Sequence, residues 1–186
     1  MSNIEKNKEL IEKYPFLLPR NVWTGKVSED YDYSYTLLDD MPEGWKNCFG
    51  EILCEMIKNA LVKNNYLEKY RISQIKEKYG SLCWYDFGAP EEVRDIIIDF
   101  EHLSRHICIY CGKIDVPMIY DLWISPFCKE CFLKTHERLN ATPEVYKELQ
   151  DDNDVPLSNT YKLTVYHKGE ETVVERDISY IINKLY

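Results

Sequence analysis

The sequence predicts an α+β protein in which helices pack on short antiparallel β-hairpins, with an embedded four-cysteine zinc ribbon and a C-terminal β-hairpin plus helix. Three observations carry that expectation. Segments with apolar residues spaced by three and four are interleaved with short segments in which apolar and polar residues alternate, so both helical and strand periods are present. Cys108 and Cys111, then Cys128 and Cys131, form two CxxC pairs with 16 residues between them. That spacing lets two tight turns aim four thiolates at one tetrahedral ion. A chain of 186 residues, 45% of them hydrophobic, can bury a substantial core.

The elements follow in chain order. Ile4 to Tyr14 reads as a short charged helix with Ile4, Leu10, Ile11 and Tyr14 as contacts and Pro15 as its stop. The stretch from Phe16 to Met41 reads as a loop, in which alternate Tyr31, Tyr33 and Tyr35 fit a short strand with one aromatic face. From Glu43 to about Asn64, Trp45, Phe49, Ile52, Leu53, Met56, Ile57, Ala60 and Leu61 mark the buried stripe of an amphipathic helix. Tyr70–Tyr79 and Ser81–Phe87, joined at Gly80, read as a hairpin whose first arm is either bulged or helical, since Ile72 and Ile75 lie three apart. Gly88-Ala-Pro90-Glu-Glu opens a helix that buries Val93, Ile96, Ile97, Phe100 and Leu103 and runs into the first cysteine pair. A helix over Phe132–Leu139 and another capped by Thr142-Pro143 follow the second pair. Gln150 to Pro156 is acidic and linker-like. Tyr161–Tyr166 and Thr172–Arg176, turning at Lys168-Gly169, read as a hairpin, and Asp177 caps a last helix bearing Ile178, Ile181, Ile182 and Leu185. The expected organisation is a main body over 1–138 with the zinc ribbon at about 106–133, a short helix and linker over 139–157, and an appendage over 158–186.

In the metal module, four thiolates fill the coordination shell of one structural Zn²⁺ and leave no open position for a substrate. Gly112 lets backbone amides turn toward the sulfurs, and Trp123 and Phe127 are expected to shield the site. His102, His106 and His136 are near enough in sequence for a mixed site, but the all-cysteine set is simpler. Cys48, Cys54 and Cys83 then read as small buried hydrophobes.

The net charge of −9 disfavours a general phosphate-binding surface, and only segment 44–80, with seven basic against four acidic residues, is basic, and only mildly. No apolar stretch of signal or membrane-spanning length is visible, so the expected location is the cytoplasm, where paired cysteines stay reduced and favour metal. His136 and Asn140 suggest an HNH nuclease, but residues 112–127 contain no histidine and no other catalytic motif is visible. The expectation is therefore of a chain that is not an enzyme.

Tyr14-Pro-Phe-Leu-Leu-Pro-Arg-Asn-Val-Trp-Thr-Gly, Asp30-Tyr-Asp-Tyr-Ser-Tyr-Thr, Met41-Pro-Glu-Gly-Trp45, Gln74-Ile-Lys-Glu-Lys-Tyr-Gly80 and Trp123-Ile-Ser-Pro-Phe-Cys128 together resemble a family of uncharacterised bacteriophage and prophage proteins of gut bacteria. The resemblance spans roughly residues 14–132, with Phe127 where a tyrosine is commoner. It implies a setting inside a bacterial host cell and no mechanism. Two function classes follow. The first is a zinc-stabilised interaction protein, a phage factor that binds and inhibits a host protein such as a defence component, with Trp23, Tyr31, Tyr33 and Tyr35 as candidate partner-binding residues. The second is a nucleic-acid-binding regulator using the zinc ribbon and segment 44–80; a nucleotide-signal binder has no phosphate-binding motif behind it.

Overall fold

The computed structural model describes residues 2–21, 23–121, 123–135, 141–150, 154–167 and 169–186. Its architecture is α+β, with three separate two-stranded antiparallel hairpins set against helices. Helix α1 (Asn3–Lys13) begins with a capping box: Ser2 Oγ accepts the Glu5 amide and the Glu5 carboxylate accepts the Ser2 amide. Ile11 and Tyr14 anchor it, while Ile4, expected as a contact, is exposed.

The tyrosine-rich segment forms no strand. Tyr33 sits in left-handed backbone at φ +64°, and Asp32 Oδ1 accepts the Ser34 amide, so local side-chain bonds replace a ladder. The regular piece that follows it is a 3₁₀ turn at Leu37–Asp40, closed by Asp39 on Thr36.

The spine of the fold is one continuous helical run with a defect near its start. It comprises α2 (Glu43–Trp45), a π turn at Lys46–Gly50 and α3 (Glu51–Lys63). A π turn inserts an extra residue and rotates the face of everything that follows. Cys54 is consequently fully buried beside Leu53 and Ile57, while Ile52 and Met56, which an unbroken period would bury, are only half-buried. Trp45, Phe49 and Phe100 meet at the centre, the Phe49 ring centroid lying 6.4 Å from that of Trp45 and 5.4 Å from that of Phe100.

Strands β1 (Ile72–Lys78) and β2 (Ser81–Asp86) turn at Tyr79 and Gly80, both at positive φ, which suits the twist of a two-residue hairpin. The uneven pleat is a bulge between Ile72 and Gln74. Helix α4 (Glu91–Ser104) packs on β2 and α3, with Pro90 at its cap, one residue earlier than expected. Ser104 Oγ accepts the Leu82 amide and donates to the Glu101 carbonyl, tying α4 to the sheet.

A second cluster of Ile119, Phe127, Phe132 and Tyr146 lies beside the paired cysteines. It is built by β3 (Met118–Tyr120), β4 (Ile124–Pro126), α5 (Lys129–Thr135) and α6 (Pro143–Glu148). Thr142 caps α6 as expected, and Tyr146 Oη donates to the Phe127 carbonyl at 2.9 Å. The last four residues of the helix expected over Phe132–Leu139 lie outside the described residues. So do parts of the acidic segment after Gln150; at its end, Asp154 accepts the Met118 amide.

Strands β5 (Thr160–His167) and β6 (Glu170–Asp177) form the last hairpin, followed by α7 (Ser179–Leu185). Ile178 and Ile181 are fully buried in the main core, so α7 closes the same core that Trp45 fills. The hairpin base is held by Asp99, a carboxylate only 1% exposed that sequence periodicity gave no reason to notice. It accepts from Arg176 Nε (2.6 Å) and Nη2 (3.0 Å), Tyr161 Oη (2.8 Å) and Tyr180 Oη (2.6 Å), while Arg176 Nη1 also reaches Asp95. Both carboxylate oxygens are thus satisfied, which is what a buried charge requires. No helix among the described residues is long and apolar enough to cross a membrane.

Two expectations follow. Arg176→Leu strands the Asp99 charge and is expected to cost about 3–5 kcal/mol in denaturant unfolding, against roughly 0–1 kcal/mol for removing the solvent-facing Lys13–Glu51 pair. An equal, small effect for both would contradict the clamp. His102 stacks on Tyr161 with ring centroids 3.8 Å apart, and burial followed by repulsion from His106 lowers its pKa from 6.5 to about 4. As pH falls through that window the unfolded chain takes up a proton that folded His102 refuses, so folding weakens toward acid. Relative to His102→Gln, the parent is expected to lose stability between pH 6.5 and 4; a constant difference across those pH values would refute it.

Candidate metal centre

The cysteine turns stand where α4 delivers the chain. After Ser104, Ile107 bridges Ile114, and the Cys108 amide donates to the Lys113 carbonyl, folding residues 108–113 into a tight loop. Gly112, at φ +76°, lets its own amide reach the Cys108 carbonyl. The second turn leaves β4 and enters α5, where the Cys131 amide donates to Cys128 Sγ at 3.4 Å.

These two turns bring Cys108, Cys111, Cys128 and Cys131 together with all four sulfurs within 4.8 Å of one another. Cys111 Sγ and Cys128 Sγ are 3.6 Å apart. A tetrahedron of sulfurs about 2.3 Å from a central ion has edges of roughly 3.8 Å, so the four fit one metal ion. Burial, then contact with the other cysteines, pushes the Cys131 thiol up, and a bound dication would reverse that preference by favouring thiolates. Cys108 and Cys128 are buried, Cys131 is half-buried and Cys111 is exposed.

The site is fused to the spine. The Gly44 amide donates to the Ile109 carbonyl at 2.9 Å, and the buried Trp45 indole N–H donates to the Ile107 carbonyl at 2.8 Å. A methyl group at Gly44 would overlap the Cys108 carbonyl oxygen and stand 2.7 Å from the Ile109 carbonyl. One at Gly112 would lie 2.7 Å from the Gly44 carbonyl oxygen. Sequence reading missed this joint, although a glycine beside a tryptophan at a helix start was its available signal.

The other expected residues are distributed differently. Phe127 is buried next to the site and stacks with Tyr110 at 5.4 Å, as a shield should. Trp123 is not a shield: it is 56% exposed, stacks on Tyr79 and donates to Glu77, because the β3–β4 turn points it at the β1–β2 turn. His102 and His106 pack on each other, apart from the four sulfurs. His136 and Asn140 lie outside the described residues. Of the remaining cysteines, Cys54 is buried and Cys48 and Cys83 are half-buried. Trp23 is 88% exposed. Tyr31, Tyr33 and Tyr35 are half-buried, with Tyr31 Oη donating to the Tyr35 carbonyl and Tyr35 Oη to Asp40.

No protein-family model, curated protein or solved structure matches the chain.

Gly44→Ala tests the joint. In an open helix this change stabilises by about 0.5–1 kcal/mol; against the Cys108 carbonyl it is expected to destabilise by about 1–3 kcal/mol. The same variant should release metal to a chromophoric chelator more readily than the parent. Stabilisation with unchanged release would show that the turns do not press on the helix.

Proposed function

We propose that the chain is a zinc-stabilised interaction protein that acts by binding another protein and catalyses no reaction of its own. Zn²⁺ is the ion that four cysteines at tetrahedral spacing suit best, and its closed coordination shell assigns it to holding the fold. In the phage setting that the resemblance implies, the partner is a host protein, a defence component among the candidates, met and inhibited in the host cytoplasm.

The observation that carries this reading is the β5–β6 hairpin. Arg176 and Tyr161 fix its base, yet Tyr166 is 71% and Val173 57% exposed beyond it. A clamped ribbon with uncovered apolar side chains is a surface suited to a partner. Trp23 offers a further exposed aromatic, and the rings of Tyr31, Tyr33 and Tyr35 are only partly covered.

A nucleic-acid-binding reading has one observation in its favour. Lys76 Nζ lies over the Tyr85 ring and Lys78 Nζ over Tyr79, which itself stacks on exposed Trp123. Exposed aromatics with adjacent lysines can stack and neutralise a single strand. The net charge of −9 opposes it.

The test uses the full chain as bait in host lysate, with elemental analysis of the same preparation. One zinc per chain is expected, together with a stoichiometric host protein retained by the parent and lost with Tyr166→Ser/Val173→Ser at unchanged Tm. Absence of zinc would overturn the metal assignment. Absence of a partner combined with a salt-dependent shift of single-stranded RNA or DNA, abolished by Trp123→Ala, would transfer the function to the β1–β2 face.

A further inference from the structure

The last hairpin has two open strand edges, and its chemistry distinguishes them. A two-stranded ribbon in water is marginal unless something covers it, and an edge with unpaired backbone groups is a template for another strand. Neither β5 nor β6 has a second strand neighbour among the described residues. Near its base the ribbon is covered by α4 and α7 through Asp99. Farther out it is not: Val165 and Val174 are 40% and 41% exposed on the face that Tyr161 and Arg176 begin, and Val173 is exposed on the other.

Charge then separates the two strands. β5 carries no carboxylate, whereas β6 carries Glu170, Glu171, Glu175 and Asp177, all exposed. Its one cation, Arg176, is turned to Asp95 and Asp99. On the solvent face of β6, Glu171 and Glu175 flank Val173, two residues away on either side. Lys162 faces Glu175 across the ribbon, and a strand added outside β6 would flank that carboxylate on its other side. A second copy of the chain using this edge would set acidic strand against acidic strand, an arrangement that like charges oppose.

We propose that β6 is the docking edge for an extended, basic segment of the partner protein, added as a third strand. Lysine or arginine side chains lie opposite Glu171 and Glu175, and a small apolar side chain packs on Val173. Backbone hydrogen bonds supply the affinity of such an addition, and alternate side chains supply its specificity. This inference rests on the reading of the hairpin as a protein-binding surface and adds the chemistry of what binds.

The experiment is an amide-resolved NMR titration of the full, metal-loaded chain with a short Lys-Thr-Val-Thr-Lys peptide (the Lys-Val peptide), whose two Lys and one Val share one face of a strand, and a Glu-Thr-Val-Thr-Glu control (the Glu-Val peptide). The Lys-Val peptide is expected to shift β6 amides and leave α1 unmoved, with binding weakened about tenfold or more between low and high salt. Glu171→Lys/Glu175→Lys, at two exposed positions and checked for parental Tm, should abolish that binding and accept the Glu-Val peptide instead. Lys-Val shifts that persist in the double variant, or a parent whose β6 amides respond to neither peptide, would overturn the proposal. A host partner captured by the parent and retained by the charge-reversed variant, but lost with Tyr166→Ser/Val173→Ser, would leave the protein-binding function standing and remove strand addition from it.

Discussion

Everything in the body of this protein is organised by the absence of side chains where the first cysteine turn meets the spine helix. Gly44 and Gly112 stand so close to the opposing backbone that a methyl on either would collide with it. That approach lets Trp45 place its indole N–H on the Ile107 carbonyl inside the core, and it lets the Gly44 amide close onto Ile109. The metal turn and the hydrophobic core are therefore one object. The π turn at Lys46–Gly50 follows at once, and with it the rotation that buries Cys54 in the core. Closing four cysteines around an ion would fix residues 107–112 and, through them, the start of the helix that most of the core packs against.

A second joint governs the far side. Asp99 is a buried anion on α4, and it is tolerated because a guanidinium and two phenols from the C-terminal segment satisfy both of its oxygens. Removing any of these donors leaves a buried charge short of a partner, so the clamp selects one docking of the last hairpin over others. The consequence is geometrical. The base of the ribbon is fixed and its outer half stands away from the body, which turns a marginal two-stranded element into a presented surface.

Much of this could be read in the chain before its structure. The CxxC spacing is a direct statement of coordination geometry, and the four sulfurs do converge. The strong periodicities of α3 and α4 and the turn chemistry of Tyr79-Gly80 likewise survive in the fold, because burial on one face and positive φ at two residues are local demands. What was not legible depends on distant partners. The alternation of Tyr31, Tyr33 and Tyr35 matched a strand, but no strand among the described residues pairs with it, and Asx-type bonds won. Asp99 lies outside the apolar stripe of α4, and its role depends on Arg176, 77 residues away. Trp123 looked like a metal shield because sequence distance to Cys128 is short, whereas the β3–β4 turn sends it to Tyr79. The π turn carries no sequence signature of its own beyond a glycine at its end.

The cysteine cluster is hydrogen-bonded directly to the spine helix, so a metal ion held by the four cysteines would stabilise both as one unit. Native-state hydrogen exchange at the Trp45 indole N–H and the Gly44 amide reads that coupling directly. With metal bound both protons should be among the most protected in the chain, and on removal of the metal both should lose protection together, by several orders of magnitude. If the indole proton stays protected while the cysteine turns open, the site is a separable module, uncoupled from the spine helix.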